Sequence, residues 1–465
     1  MLVELATDVR ERRVSASELV RRSLDRIDAL DGAIGAVVAR RDTEALAEAV
    51  ELTERIAAGE EVGALAGLPV LVKDVEDVAG MRTTHGSLLH ADDPPAATDE
   101  ATVRRLRAEG AIVVGKTNTP EYAFHGFTAN RVFGATSNPW APTRSPGGSS
   151  GGAGAALAAG LAPIATATDG GGSVRIPASF CGLVGLKPTA GIVGRDPIPI
   201  WLDFSTPGPL ATSIADVRLL LSTIAGPAAG DPGALPSWIP MPGLTLLPHR
   251  VYAMERNSPA GPLPAPVADA FADALGHVES QLGIEVEAIS HERVFDAGNI
   301  DEDWFTTVAT EHAHYLGRET IEENAYRLDP GFLEAMQEGL SINSETYLAA
   351  RRRRFAFCRA LDDLLGEDGL LLQATMPTEG WDPSGATPDD PAAAGSATAY
   401  NTQAANITGH PALSVPAGTL PDGLPFGLQV TGPRFRDGLV LEFGARWESA
   451  NPWRSVAPGY EPFDG

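Results

Sequence analysis

The chain has 465 residues, 43% of them hydrophobic and 21% charged, which is ample apolar matter for a large core in a water-borne protein. Its formal net charge is -26, and so acidic a surface repels phosphate backbones and anionic lipid, excluding nucleic acid and membranes as partners. Solubility is the plain reading of that charge, with attraction of a cationic substrate as the alternative.

Glycine (50) and proline (37) are spread along the chain, which favours many tight turns over a disordered tract. The two cysteines, Cys181 and Cys358, stand far apart, and Cys181 lies in an apolar run. Reduced thiols and a cytoplasmic protein are expected. Residues 1–8 carry acidic side chains and no long apolar stretch, unlike a secretory signal. No window reaches the roughly 18 apolar residues of a membrane span.

Residues 1–60 read as helical. Ser15-Ala-Ser-Glu18 is a capping box that opens a helix with apolar residues at helical spacing. A second helix is predicted over 43–58, ending near Gly59. The period then changes. Leu68–Val72 is a short apolar run ending in Lys73-Asp74, Ala101–Glu109 reads as a helix, and Ala111–Gly115 as a strand. Ala155–Ala159 is predicted helical and Leu161–Thr166 is predicted to be a buried strand. Further strands fit Val251–Met254, Ile284–Ile289, Leu370–Gln373 and Leu428–Val430.

This alternation predicts an α/β fold: a mixed, mostly parallel central sheet covered by helices on both faces. The segments 226–248, which carries Trp238, and 376–397 are rich in turn residues and read as surface loops. No repeat and no convincing linker appears, so a single domain over 1–465 is expected. Its parts are helices at 1–60, a core at 61–220, a variable wall at 226–397 and a returning core segment at 400–450.

The chemistry gathers between residues 145 and 175. Two serines occupy separate glycine-rich turns, Ser145-Pro-Gly-Gly-Ser-Ser-Gly-Gly-Ala-Gly and Thr168-Asp-Gly-Gly-Gly-Ser-Val-Arg. A serine hydroxyl is a weak nucleophile and needs a base within reach and donors for the oxyanion. Ser173 is the candidate nucleophile. The backbone N–H groups of Gly170, Gly171 and Gly172, with that of Ser173, are the candidate oxyanion donors.

Lys73 is the candidate base. A lysine acts so only when burial or positive dipoles hold it neutral, and the apolar run before it makes burial natural. The plainer alternative is a strand-end lysine paired with Asp74. Asp169 and Arg175 flank Ser173 and are read as supports that fix the turn through an ion pair. Cys181 is read as a packed thiol rather than a nucleophile.

Other signals are weaker. Gly147–Gly154 lacks the Lys-Ser/Thr ending of a phosphate loop. His312 and His314 stand at i, i+2, which point apart on a helix, so they are read as helix-surface or pocket-wall residues and not as metal ligands. Arg351–Arg354 is read as a solvated helix face bound to acidic neighbours, with a substrate carboxylate as the alternative partner.

Taken together, these motifs resemble the amidase signature family, in its stand-alone amidase branch. Lys73 precedes Ser149 by 76 residues and Ser149 precedes Ser173 by 24, both as in that family. Gly115-Lys-Thr-Asn-Thr-Pro-Glu121, Ser137-Asn-Pro139, Cys181-Gly, Gly185-Leu-Lys-Pro-Thr189, Asn406–Pro416 and Asp422–Gln429 match as well. The resemblance spans roughly 10–215 and 400–450 and fades between 226 and 397.

It implies the amidase signature fold and hydrolysis of a carboxylic amide through an acyl-serine. It also implies that Ser149, after a cis peptide bond, relays the proton from Ser173 to Lys73, with Ser150 as a supporting residue. It implies no cofactor and no metal, a small-molecule amide as substrate, and a homodimer.

One position departs from the pattern: Gly170 stands where the family carries a side chain, which is expected to loosen the turn and open space beside the scissile carbonyl. Two alternatives are kept: a glutamine-hydrolysing subunit of a tRNA-dependent amidotransferase, and a non-catalytic scaffold. Against the first, Lys73-Asp-Val-Glu76 and Phe124-His-Gly-Phe-Thr-Ala129 replace that subunit's Lys-Asp-Asn-Ile and Met-Gly-Ser-Ser-Thr-Glu. Against the second stands the complete triad.

Overall fold

The structure, a computed structural model, describes residues 1–236, 248, 250–259, 261–386 and 401–464. Trp238 and residues 387–397 of the second predicted loop lie outside these.

Helices α1 (Leu2–Arg10) and α2 (Ala16–Leu30) open the chain. The capping box forms as expected. Glu18 N–H donates to Ser15 Oγ at 3.1 Å, and Ser15 N–H donates to the Glu18 carboxylate at 2.7 Å. The 1–60 segment is not helical throughout. Strand β1 (Val37–Arg40) precedes α3 (Asp42–Ala57) and pairs antiparallel on the sheet edge. Gly35, at φ 68, ends the helical path that reaches it and turns the chain into that strand.

Strand β2 (Pro69–Lys73), α4 (Ala101–Ala108) and β3 (Ile112–Thr117) form a parallel crossover unit. A small ribbon follows, β4 (Ala129–Asn130) with β5 (Gly134–Ala135). Next come α5 (Gly151–Ala158), β6 (Ile164–Ala165) and β7 (Thr168–Asp169). After these, α6 (Arg175–Phe180), β8 (Val184–Lys187), β9 (Thr206–Pro207), β10 (Leu210–Ala211) and α7 (Ile214–Ile224) complete the first half.

The second half holds β11 (Val251–Ala253), α8 (Ala265–Leu282) and β12 (Val286–Ala288). A helical block follows: α9 (Ile300–Leu316), α10 (Arg318–Glu323), α11 (Pro330–Ser341) and α12 (Ser344–Leu365). Strand β13 (Leu370–Ala374), α13 (Gln403–Thr408), the hairpin β14 (Ala412–Thr419) and β15 (Pro425–Thr431), and α14 (Asp437–Ala450) close the fold.

Eleven strands make one mixed sheet in the order β1-β3-β2-β6-β10-β8-β14-β15-β13-β11-β12. The parallel pairs lie in two blocks, β3-β2-β6 and β13-β11-β12. Between the blocks pairing is antiparallel, more extensively than the alternation of helix and strand suggested. Within this middle, β14 and β15 form a hairpin: Leu420 N–H donates to Leu424 O at 2.7 Å, closing one strand onto the next without a crossover helix.

Helices cover both faces. The crossovers from β2 to β3 and from β3 to β6 run in opposite directions along the sheet, so right-handed connection puts α4 and α5 on opposite sides. Helices α4, α7, α14 and α8 pack successively as one layer, while α5 packs on α6 in the other. Strands β2, β3, β13 and β15 are buried along their whole length, as strands covered on both faces must be.

The small-residue helix α5 is entirely buried, and its glycines leave no room for a side chain. A Cβ added at Gly152 would lie 2.4 Å from the Asn118 nitrogen, and one at Gly154 3.1 Å from Cys181 Sγ.

Candidate active site

Parallel pairing sets the site's position. Strands β2 and β6 lie side by side in parallel, so Lys73, at the end of β2, and the loop after β6 emerge at the same sheet edge. The backbone N–H of Lys73 donates to Thr166 Oγ1 at 2.9 Å, which fixes the strand end against that loop. Helix α5 begins beside the same edge, and the Gly148–Ser149 peptide just before it is cis.

Lys73 Nζ thereby lies 2.7 Å from Ser149 Oγ and 3.0 Å from Thr168 Oγ1. Lys73 and Ser149 are fully buried. Burial pushes the Lys73 amine down to about 7, although the Glu76 and Asp169 carboxylates pull it the other way. The expected alternative partner, Asp74, is engaged elsewhere: its carboxylate lies 3.0 Å from Lys116 Nζ.

Ser173 sits in the turn between β7 and α6 and keeps 8% of its surface exposed. Its platform is joined to the first serine loop by Ser150, whose N–H donates to Ser173 O at 3.3 Å. Ser150 Oγ also accepts from Thr168 N–H at 3.4 Å. Ser173 Oγ has no hydrogen-bond partner among the described residues. The structure therefore joins Lys73 to Ser149 by a side-chain contact, and Ser149's loop to Ser173 through the backbone.

Asp169 and Arg175 brace the turn. Both are fully buried. Asp169 accepts from Arg175 Nε at 2.9 Å and Nη2 at 2.8 Å, from Gly172 N–H at 2.7 Å and from Val174 N–H at 3.2 Å. Burial alone would raise this carboxyl, yet Arg175 and Asn406 hold it down at about 2. The remaining Arg175 N–H groups donate to Thr402 O, Gln429 Oε1 and Asn406 Oδ1 at 2.7–2.8 Å, so all five donors are used.

One expected oxyanion donor is corrected. The N–H of Gly172 donates to Asp169 Oδ1 at 2.7 Å and so is not free for an oxyanion. Gly172 serves instead as the pivot of the turn. Its φ is 131, and a Cβ there would lie 2.2 Å from Thr402 Oγ1. The N–H groups of Gly170, Gly171 and Ser173 make no hydrogen bond among the described residues.

The space expected beside Gly170 is also not open. A Cβ on Gly170 would lie 2.7 Å from Trp201 Cε3, so the indole fills the missing side chain's place. Trp304 covers the next residue, since a Cβ on Gly171 would lie 2.4 Å from its Cζ2. Trp304 Nε1 donates to Gly170 O at 3.1 Å and Thr402 Oγ1 to Gly171 O at 2.6 Å, which fixes the carbonyls.

Sequence reasoning missed Trp201, Trp304, Thr402, Asn406 and Gln429 as parts of this site. It also missed a countable signal: the chain has three lysines, Lys73, Lys116 and Lys187, and all three are buried.

The other candidates fall into place. Cys181 and Cys358 are free, and burial pushes both thiols up, away from thiolate chemistry. His312 is buried against Phe124 and Trp201, and His314 is exposed. Among the described residues no group of three His, Cys, Asp or Glu side chains is placed to hold a metal. Arg351 and Arg354 pair with Asp203, and Arg353 pairs with Asp303 at 2.5 Å, so the basic run is bound to acidic neighbours. Among the described residues no helix is long and apolar enough to cross a membrane.

A buried amine against one serine, and a second serine in a turn with free N–H donors, are groups suited to acyl transfer. The chain belongs to the Amidase family, whose model matches residues 18–441. It is 33% identical over 475 residues to the acylamidase of Rhodococcus erythropolis, across 98% of this chain and 96% of that protein. It is also 33% identical over 483 residues to one of the subunits of the glutamyl-tRNA(Gln) amidotransferase of a Picosynechococcus species, across 96% of each chain. The crystal structure of a bacterial aryl acylamidase of the amidase signature family matches with a TM-score of 0.87 and 27% identity, over 97% of this chain and 96% of that one.

Proposed function

We propose that Ser173 is the nucleophile of this amidase and that Lys73, acting through Ser149, is its base. Neutral Lys73 takes the Ser149 hydroxyl proton while Ser149 Oγ takes that of Ser173, and Ser173 Oγ bonds to the carbonyl carbon. The oxyanion rests on the N–H groups of Gly170, Gly171 and Ser173. The C–N bond then breaks as Ser149 returns a proton to the departing nitrogen and is itself reprotonated by Lys73. The acyl-serine is hydrolysed by water deprotonated along the same path, releasing the acid and restoring Ser173. The site's own residues supply every proton transfer and need no cofactor.

The observation that carries this reading is the buried Lys73 Nζ, 2.7 Å from Ser149 Oγ, on a platform tied to Ser173 by Ser150. The apposition of the two hydroxyls belongs to the substrate complex, where catalytic hydrogen bonds tighten. The test is covalent labelling by a fluorophosphonate, read by peptide mass. The adduct is expected on Ser173 and absent in Ser173→Ala, and an adduct on any other residue rejects the assignment.

The amidotransferase reading rests on the second relative. Ammonia transfer to a copurifying partner marks that reading, and release of free ammonia or amine by the isolated chain marks the stand-alone one. The two free thiols support a cytoplasmic setting.

A further inference from the structure

The residue that departs from the family pattern leads furthest. Gly170 carries no side chain because Trp201 occupies the volume: the ideal Cβ position lies 2.7 Å from Cε3 and 2.8 Å from Cδ2 of the indole. Trp201 in turn belongs to an aromatic group. Its ring centroid is 5.8 Å from Trp304, 6.2 Å from Phe124 and 4.7 Å from His312, which meets it edge-on at 83°. His312 Nδ1 lies 2.8 Å from Val308 O, which fixes that ring in place.

The wall is held rigidly. Strand β9, directly after the Trp201 loop, pairs with β7, directly before the Gly170 turn. Arg195, at the loop's start, donates to Ser205 O at 3.0 Å and to Asp231 at 2.9 Å. Phe204 lies under the guanidinium groups of Arg351 at 5.5 Å and Arg354 at 5.1 Å. A ring anchored at both ends of its loop loses little freedom when a ligand packs on it.

Within the aromatic group, access is uneven. Trp304 is 3% exposed and His312 0%, whereas Trp201 keeps 7% and Phe124 is half-buried. Trp201, which packs directly on Gly170, and Phe124 are thus the rings of this group that keep the most exposed surface.

We infer that Trp201 is a specificity-determining residue: in the space that Gly170 leaves, its indole forms with Phe124 an aromatic face on which an aryl group bonded to the scissile amide stacks. The inference rests on Ser173 being the nucleophile. Stacked and edge-to-face rings attract beyond what area burial gives, so an aryl amide gains over its saturated equivalent of similar size.

The experiment compares matched pairs. Benzamide against cyclohexanecarboxamide places the ring on the carbonyl carbon. Acetanilide against N-cyclohexylacetamide places it on the nitrogen. The expected result is a preference of about tenfold in kcat/KM for the aryl member of at least one pair, and that pair tells which side of the bond faces Trp201. Trp201→Leu should erase the preference and Trp201→Phe should keep most of it.

No preference in either pair overturns the inference, and so does equal preference in the Leu and Phe variants. Fluorophosphonate labelling of Ser173 is read alongside. Labelling with unchanged preference in Trp201→Leu sinks the role of Trp201 alone, and absence of labelling in the parent sinks the nucleophile assignment. Loss of labelling in both Trp201 variants makes the indole a structural prop and likewise overturns the inference.

Discussion

Replacing Lys73 by methionine should abolish activity and stabilise the protein, with a pH dependence that identifies the cause. Burial lowers the Lys73 amine from 10.5 to about 7, and a displacement of that size corresponds to about 5 kcal/mol. The sign follows from proton counts. Between about pH 7 and pH 10.5 the unfolded lysine holds a proton that the folded one does not. Stability therefore rises with pH across that window, by about 1.4 kcal/mol per unit, and the full penalty is present below it. Methionine has a similar length and no charge, so it removes the penalty. It also removes the contacts to Ser149 Oγ and Thr168 Oγ1, worth about 1 kcal/mol each. Lys73→Met should thus be more stable than the parent by about 3 kcal/mol at pH 6, the advantage vanishing near pH 9. Guanidinium unfolding of both proteins at pH 6, 7.5 and 9 measures this, with amide turnover measured on the same samples. A methionine variant less stable at pH 6, or a difference that does not change between pH 6 and 9, would refute a lysine held neutral by burial.

Two further outcomes follow from the same site. Because Lys73 must be neutral to accept a proton, kcat/KM should rise with pH through a midpoint near the folded value of about 7. Glu76→Gln removes a carboxylate that favours the charged amine, so pH profiles from 5 to 9 should show the midpoint moving to lower pH. Gly171→Ala puts a Cβ where Trp304 Cζ2 stands 2.4 Å away. The turn or the indole must shift, and fluorophosphonate labelling of Ser173 should slow by about a hundredfold while α-helix content measured by circular dichroism is retained.

Much of this was legible because it is local. The capping box at Ser15 and Glu18, the apolar run ending in Lys73, and the glycine turns around Ser149 and Ser173 each declare themselves within a few residues. What escaped depends on contacts across the sheet. Strand β1 hides among helices because it lies at the sheet edge, where none of its residues is fully buried and Arg40 is exposed. The antiparallel middle of the sheet follows from strand order, which periodicity does not encode. The N–H of Gly172 is the exception: it looks free in the sequence although its acceptor, Asp169, stands only three residues before it, a local contact that the glycine run conceals. Trp201 and Trp304 lie 31 and 134 residues beyond Gly170, so nothing near the turn announced that its missing side chain had been replaced from elsewhere.

A depressed amine does not by itself name the base. Burial and the nearby Arg175 also push Lys187 down to about 7, so Lys73 and Lys187 are equal on that measure. Their partners separate them. Lys187 Nζ donates to Pro188 O at 2.8 Å, a carbonyl that can return no proton. Lys116 Nζ is held by the Asp74 carboxylate at 3.0 Å, an acceptor with no proton to relay to a serine. Lys73 Nζ faces two hydroxyls, Ser149 Oγ and Thr168 Oγ1, which bring no formal charge and can exchange protons. Of the two carboxylates that pull the Lys73 amine up, Glu76 and Asp169, the second is committed to Arg175 in a bidentate pair. The Asp169–Arg175 pair shapes the Ser173 turn, while burial outweighs the pull of both carboxylates and holds the Lys73 amine down.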